Sequence, residues 1–493
     1  MMTPKEYVDS LREMKTVVYY RGERIDNWVD HPAIRPHINA AALTYATDSD
    51  AEGDEAVRTA TSHLTGNKIN RFTHIHQSPE DLVKKVKALR GIAQKTGSCF
   101  QRCVGWDALN ALYGVTYEID RDKGTDYHDR FVQFLLYIQE TDRMCDGAMT
   151  DPKGDRSLPP SKQADPDQFL RVVERRGDGV IVRGAKAHQT GAVNSHEVIV
   201  MPTAAMGPDD ADYALAFAVP MDTAGIICIF GRQSNDSRKE EGVLDQGNTC
   251  FGAVGGESLV VFDDVFVPWE RVFMCGEYEF AGLLVERFAS YHRQNYGGCK
   301  TGVADVLIGA CATLAAYQGT GKASHIKDKL TEMAHLAETM YCCSLACSYE
   351  GSPIASGQYF VDSLLASVTK LNVTRNVYEV ARLAQDIAGG VLATLPSEQD
   401  LENPEIGKYV EKYFKGVAGI ATKDRIRIAR LIEAMTSGTA LVESMHGAGS
   451  PQAMKVIIQR QVNLERKMRL ATDLAGITES VETAAAKASS ARG

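Results

Sequence analysis

The sequence predicts an α+β protein in three parts: an N-terminal helical domain over residues 1–145, a middle β domain over 146–276 and a C-terminal helical bundle over 277–493. Three observations predict it. Capped, amphipathic helical patterns run to about Asp142; short β-branched runs punctuated by turns fill the stretch from Met149 to Met274; long amphipathic patterns return from about Glu279. A single cleft is expected where the three parts meet.

Thr3 reads as the N-cap of the first helix, with Pro4 at its first position and Glu6 closing a capping box. Ser78, Pro79, Glu80 and Asp81 repeat the device ahead of Leu82, Val83, Val86 and Leu89, whose spacing marks one buried helical face. In the middle part, residues 170–174, 180–183, 198–201, 213–219, 226–230 and 259–262 read as strands, with a turn at Gly177, Asp178 and Gly179. Together they predict a compact antiparallel sheet or barrel. Helices are then expected near 300–320, 322–350, 357–390, 424–445 and 451–474. The Ala- and Ser-rich stretch 478–493 reads as a frayed or short amphipathic end.

A chain of 493 residues with 44% hydrophobic and 24% charged residues has the composition of a globular protein with a large core. The formal charge of -10 argues against a general nucleic-acid binder, while leaving room for a local basic patch that seats a phosphorylated substrate. No apolar run is expected to reach the roughly 20 residues that span a bilayer. The amino terminus reads as a charged helix and not as a signal sequence, so the expected location is the cytoplasm. Eleven cysteines, an odd number, fit reduced thiols and ligands better than a disulfide framework. Cys342, Cys343 and Cys347 fall in an apolar helical stretch and read as core packing.

Cys99, Cys103, His292 and Cys299 stand apart as four candidate ligands of one metal centre. Cys99 and Cys103 are four residues apart in a stretch that reads as helix, which would set both on one face, one turn apart. His292 and Cys299 are seven apart, two turns of a continuous helix, with Gly297 and Gly298 permitting close backbone approach. Thiolate and imidazole ligands suit zinc or an iron–sulfur cluster, and the spacing belongs to neither a zinc finger nor a ferredoxin. Four unrelated buried residues are the alternative. Tyr296 shares the face of His292 if the helix holds, and fits either a hydrogen bond to substrate or the core. Glu257, between permissive glycines and an apolar strand, is oddly placed for an acid unless it faces a cavity; Glu443 ends a helix before a Gly-rich turn. For each, a charge at the end of a hairpin or helix is the alternative.

Met149-Thr150-Asp151-Pro152 resembles the Thr-Glu-Pro segment of acyl-CoA dehydrogenases, which lies against the flavin, and residues 261–268 look like the strand pair that leads those enzymes into their C-terminal bundle. The windows 27–36, 99–103, 147–156, 183–190, 291–300 and 443–452 together resemble the 4-hydroxybutyryl-CoA dehydratase family, over nearly the whole chain. The related flavin-dependent 4-hydroxyphenylacetate 3-monooxygenases share the architecture but lack the cysteine set. The stretch 397–407 is shorter than in some members and lies away from every motif.

The resemblance implies an acyl-CoA dehydrogenase-like layout with a middle antiparallel β-barrel, FAD as one cofactor, and a [4Fe-4S] cluster on Cys99, Cys103, His292 and Cys299. It implies that Met149, Thr150, Asp151, Pro152, Lys153, Gly154, Asp155, Arg156 and Thr190 contact FAD, with Lys300 supplying a positive charge near the reduced ring. Gln385 and Gly389 match a stretch that reaches the FAD of a neighbouring subunit, so a homotetramer is expected; an ordinary helix C-cap is the alternative. His292, Tyr296, Glu257, Glu443 and Gln101 are the implied catalytic residues. Basic residues in 153–156 are candidates for CoA phosphates, while those in 232–239 read as a solvated face.

The implied reaction is radical dehydration of 4-hydroxybutyryl-CoA to crotonyl-CoA, with isomerisation of vinylacetyl-CoA to crotonyl-CoA. The C3–H bond that must break is not acidified by the thioester, whereas the C2–H bond is. Withdrawing one electron from the C2 enolate makes the C3 proton acidic, and an iron whose imidazole ligand can be displaced would hold the departing C4 hydroxyl as a Lewis acid. Two other readings remain: a two-component flavin monooxygenase of aromatic substrates, and a zinc-stabilised scaffold protein.

Overall fold

The computed structural model describes residues 1–46, 57–233, 242–252 and 254–477; the expectation for 478–493, and most of that for 232–239, lie outside the described residues. Helix α1 (Pro4–Glu13) starts as its caps dictate, the Glu6 amide donating to Thr3 Oγ1 at 3.2 Å and the Thr3 amide to the Glu6 carboxylate at 2.7 Å. It buries Tyr7, Val8 and Leu11. Strands β1 (Val18–Tyr20) and β2 (Glu23–Arg24), helix α2 (Arg35–Ala42) and the hairpin β3–β4 (Thr59–Thr61, Lys68–Asn70) follow. Helix α3 (Pro79–Thr96) is capped by Ser78, buries Leu82, Val83, Val86 and Leu89, and ends at Gly97, whose φ of +58° is the left-handed turn glycine tolerates. Helices α4 (Cys103–Lys123) and α5 (Tyr127–Thr141) complete this part.

Eight strands contribute to the middle part: β5 (Cys145–Ala148), β6 (Arg171–Arg175), β7 (Gly179–Thr190), β8 (Glu197–Val200), β9 (Leu215–Pro220), β10 (Ile226–Phe230), β11 (Glu257–Pro268) and β12 (Val272–Cys275). The described strands make no closed barrel. They form two open sheets, ordered β2-β1-β10-β11-β7-β6 and β12-β9-β8-β5, and two of the pairings, β1 with β10 and β5 with β8, are parallel. The physical reason is connectivity: β1 lies between α1 and α2, far in sequence from β10, and β5 follows α5 and is separated from β8 by β6 and β7, so both reach their partners through long connections, which parallel pairing requires, and not through hairpins. Strands β7 and β11 also outrun the predicted 180–183 and 259–262. Their ladder continues across register shifts at Ser258/Val260 and Phe262/Val265, and the second bulge turns Asp263 and Asp264 out to solvent, where the pattern reads as a strand end.

Helix α6 (Ala281–Tyr317) opens the C-terminal part close to Glu279, where helices are expected to return, and runs unbroken into the 300–320 stretch; α7 (Ser324–Tyr349), the short hairpin β13–β14 (Ser352–Pro353, Tyr359–Phe360) and α8 (Ser363–Ala388) follow. The short helices α9 (Glu398–Glu402) and α10 (Gly407–Tyr413) precede α11 (Thr422–Thr436). The predicted 424–445 helix divides at Ser437 into α11 and α12 (Gly438–His446), and the 451–474 helix divides before Asn463 into α13 (Pro451–Gln461) and α14 (Leu464–Leu474). The stretch Tyr278–Tyr317 is long and apolar enough to cross a membrane by length and composition, which corrects the expectation that no run is. Half of its most apolar window is buried inside the protein, and α6 packs against α3, α4, α7 and α8, so it needs no polar face. Of the three cysteines expected in the core of α7, only Cys347 is buried; Cys343 is half-buried and Cys342 exposed, because consecutive residues of a helix cannot share one face.

Candidate active site

Three groups of side chains converge where the loop between α3 and α4, the ends of β7 and β11, and helices α4, α6 and α12 meet. The first group is the candidate ligand set. His292 and Cys299 do share the continuous helix α6, as the spacing predicts. Gly297 and Gly298 are there because of close approach: a Cβ on the first would collide with Ser344 and lie 2.6 Å from the Met340 carbonyl oxygen, and on the second 2.7 Å from the Val86 carbonyl oxygen. Cys99 departs from expectation. It lies in an irregular turn after Gly97, and α4 begins only at Cys103. The turn carries Gln101 at φ +67°. Even so, the charge environment of Cys103 includes Cys99, Cys299 and Asp107, so the three thiols face one region. Burial pushes all three up, Cys299 to about 11 even though Lys300, by its charge and its backbone hydrogen bond, works against the rise.

His292 is anchored from behind. Its Nδ1 lies 2.8 Å from Asp107 Oδ2, while Lys85 Nζ lies 2.5 Å from Asp107 Oδ1 and Asn295 Nδ2 2.5 Å from Oδ2. The ring stacks on Phe288 at 5.6 Å and meets the edge of Tyr296 at 5.5 Å.

The second group gathers around Gly255. A Cβ there would meet Thr190 Cγ2 at 2.5 Å, Gln101 Cγ at 3.1 Å and Glu257 Oε1 at 3.3 Å, so only glycine lets these three come together. Thr190 Oγ1 donates to Glu257 Oε2 at 2.6 Å; Gln101 donates to the Cys99 carbonyl at 3.0 Å and accepts from Asn194 Nδ2. Burial pushes the Glu257 carboxyl up to about 8, against the Thr190 hydrogen bond, and Glu443 adds to the rise. Glu257 Oε1 is buried without a partner among the described residues.

In the third group, Glu443 on α12 accepts from Tyr296 Oη at 2.9 Å and pairs with Lys300 Nζ. A Cβ at Gly447 would collide with the Tyr296 hydroxyl, which is why the helix ends in a glycine there. Burial works against the Glu443 charge, but Lys300, with help from Lys370 and Tyr296, holds its carboxyl below the usual range. Lys370, from α8, donates to the Ser444 and Met445 carbonyls at 2.6 and 3.2 Å and lies 4.1 Å from the Tyr296 ring centre. Burial pulls it down to about 7. Two carboxylates pushed apart in this way, one holding its proton near neutral pH and one ionised, are what an acid–base pair needs.

A narrow, partly open cavity is lined by Cys99, Lys300 and Ser444 together with the apolar side chains of Leu307, Val380 and Met435. The strand-end loop carries Met149, Thr150, Asp151, Pro152, Lys153, Gly154, Asp155 and Arg156 beside Thr190. The Ala187 amide donates to the Thr150 carbonyl at 2.7 Å, while the Thr150 hydroxyl has no partner among the described residues. Asp151 is buried in an ion pair with Lys186 at 2.8 Å, and residues 153–156 are exposed. Gln385 and Gly389 stand exposed at the C-terminal end of α8, where Gln385 Nε2 reaches Thr436 Oγ1 at 3.2 Å. This chain's own fold does not bring them to the other groups. Sequence reasoning missed Asp107, Lys85, Asn295, Asn194 and Lys370. Asp107 carries one signal, its place one helical turn after Cys103.

Among the described residues no group of three or more His, Cys, Asp or Glu side chains closes to the spacing of a single metal ion. The donor set itself, three thiols and an imidazole, is of a kind that suits zinc or an iron–sulfur cluster.

Family models for the 4-hydroxyphenylacetate 3-hydroxylase N-terminal and C-terminal regions match residues 3–274 and 281–476. The 4-hydroxybutyryl-CoA dehydratase/vinylacetyl-CoA-Delta-isomerase of Clostridium aminobutyricum is 55% identical over 491 residues, covering 97% of this chain and 100% of that protein. A solved oxygen-tolerant archaeal 4-hydroxybutyryl-CoA dehydratase from N. maritimus superposes with a TM-score of 0.94 at 53% identity, over 97% of this chain and 96% of that one. The oxygenase component of 4-hydroxyphenylacetate 3-monooxygenase, solved in complex with FAD, superposes with a TM-score of 0.84 over 97% of this chain and 100% of that one; at 24% identity this is a likeness of fold alone. The chain belongs to the 4-hydroxyphenylacetate 3-hydroxylase family and, within it, to the 4-hydroxybutyryl-CoA dehydratase family.

Proposed function

We propose that the protein dehydrates 4-hydroxybutyryl-CoA to crotonyl-CoA and isomerises vinylacetyl-CoA to crotonyl-CoA, using FAD and a [4Fe-4S] cluster. The observation that carries the reading is three thiols that feel one another's charge and an imidazole anchored to Asp107, one helical turn after Cys103, near two carboxyl groups of opposite character. The relatives most like this chain are named for that pair of activities or for the dehydration. An aromatic hydroxylase has no use for such a ligand set, and the hydroxylase likeness is more distant.

Cys99, Cys103, His292 and Cys299 would hold the cluster. Thr150, whose hydroxyl is unclaimed, Thr190 and Lys300 would meet the flavin, with Met149, Asp151, Pro152, Lys153, Gly154, Asp155 and Arg156 supplying backbone and charge. When bound, the two groups supply a one-electron acceptor for the substrate enolate and a Lewis-acidic iron for the departing hydroxyl. The chain does the rest. His292, where its Nε2 lone pair is not held by iron, would take a proton from the acyl chain; Glu257, protonated near neutral pH, holds a proton at its carboxyl; Glu443 and Tyr296 hold the leaving hydroxyl by hydrogen bonds; Gln101 lines the substrate's path. The apolar side chains at one end of the cavity, Leu307, Val380 and Met435, would limit water at the reacting atoms. The working assembly in this reading is a cytoplasmic homotetramer, in which Gln385 and Gly389 reach a neighbour's FAD.

Anaerobic purification followed by iron, sulfide and flavin analysis, with 4-hydroxybutyryl-CoA turnover on the same sample, tests the proposal. Cys99→Ala is expected to lose cluster and dehydration together. Full turnover in that variant would refute it.

A further inference from the structure

The dehydratase reading needs a histidine that offers one specific nitrogen, and a free imidazole does not choose. Asp107 lies on α4 one turn after Cys103, so a candidate ligand and the carboxylate behind a second ligand ride on the same helix. Asp107 and Lys85 are fully buried, and the ammonium of Lys85, a pure donor, sits 2.5 Å from Asp107 Oδ1 and 3.2 Å from the Tyr291 carbonyl oxygen. The Lys85 stem is fixed between the Trp106 and Tyr291 rings, with Nζ 5.4 and 5.2 Å from their centres. With Oδ1 taken, Oδ2 faces His292 Nδ1 at 2.8 Å, and the amide of Asn295 fills its second lone pair at 2.5 Å. A carboxylate paired with a buried ammonium accepts and does not donate, so the ring proton must lie on Nδ1. Phe288 stacks on the ring at 5.6 Å and Tyr296 meets its edge at 5.5 Å, contacts that disfavour turning the ring over to exchange its nitrogens. Nδ1 also lies 3.3 Å from Asn295 Nδ2, but that donor is engaged by Asp107 Oδ2 at the shorter 2.5 Å, and Nε2 has no hydrogen-bond partner among the described residues.

We propose that Asp107, clamped by Lys85, is a positioning residue that holds His292 with its proton on Nδ1 and its lone pair on Nε2, whether or not Nε2 is bound to iron. The inference rests on the ligand role proposed for His292 and deepens it: a ring anchored through Nδ1 would present Nε2 from the same rotamer whether that atom met a metal or a substrate proton.

Full-length protein labelled with ¹⁵N-histidine, prepared free of metal, reports the tautomer directly by long-range ¹H–¹⁵N correlation, and His292→Gln assigns the signal. The expected result is protonation at Nδ1. In Asp107→Asn, Lys85 keeps the amide oxygen and the amide NH₂ turns to the ring, so the proton is expected to move to Nε2. In protein carrying its iron, Asp107→Asn should lower iron affinity by about 10–100-fold, measured by competition with a chelator. Asn295→Ala, which leaves the bond between Asp107 and His292 intact, should not. A wild-type ring protonated at Nε2 overturns the inference, as does an unchanged tautomer in Asp107→Asn or equal loss of iron from Asp107→Asn and Asn295→Ala. The wild-type spectrum decides even if Asp107→Asn does not fold. The tautomer needs neither cluster nor turnover, whereas failure of the dehydratase reading would appear separately as wild-type protein that binds no iron.

Discussion

The two halves of the candidate ligand set are built in opposite ways. His292 and Cys299 sit on one uninterrupted helix, α6, where periodicity alone places them. Cys99 and Cys103 straddle a turn and a helix start, although their spacing is equally helical. The residues between them explain the difference. Phe100 is drawn into a core with Phe72, its ring centre 6.2 Å away; Gln101 bonds Asn194; Arg102 forms a buried pair with Asp142 at 2.5 Å and lies 3.9 Å from the Tyr45 ring. Three consecutive side chains serve three distant partners, which one regular helix could not arrange. Helical spacing predicts a shared face only where the intervening residues have no such demands.

The sharpest way to break the loop half is Arg102→Met, which leaves Asp142 buried without its partner and should cost about 3–5 kcal/mol in urea denaturation. It should also speed alkylation of Cys99 in metal-free protein. A cost near that of a surface substitution would show that the turn is set by something other than this pair. The helix half has a different weakness: Gly297→Ala forces a Cβ against Ser344 and the Met340 carbonyl, and overpacking of that kind should cost about 1–3 kcal/mol on the same denaturation curve.

The two carboxyl groups extend the contrast. Glu257, beside the loop, is raised from 4.5 to about 8, chiefly by burial. A folded-state pKa above the unfolded one means the native state binds more protons between those values, so the stability Glu257 contributes is complete below about 4.5 and is lost as pH rises through about 8. Denaturation midpoints should therefore fall with pH across that window in the wild type relative to Glu257→Gln; parallel curves would remove the proton from Glu257. Glu443, on the helix side, is shifted the other way by Lys300. The smallest expected effect is Gln101→Gly. Relief of the left-handed backbone at φ +67° should offset most of the lost bond to Asn194, leaving stability within about 1 kcal/mol while turnover falls. A larger destabilisation would mean that the side chain, and not the backbone turn, holds the loop.

Much of the fold is legible in the amino-acid sequence. Thr3 and Ser78 cap the helices they predict, the pattern of short strands marks the β region, and the four candidate ligands stand out by residue type. The features that local patterns misrepresent share one cause. The strands β1 and β5 join sheets through parallel pairings from far along the chain, α6 looks membrane-competent because its neighbours cover it, and Asp107 reads as one more helix acid until Lys85 and His292 arrive from α3 and α6. Caps, turns and apolar periodicity act over a few residues, so the sequence by itself determined where helices and strands begin and which residues could carry the chemistry. The tertiary structure alone decided which carboxyl keeps its proton, which way the imidazole presents its nitrogens and why Cys99 leaves the helix, because each depends on burial and on partners that only folding brings within a few ångströms.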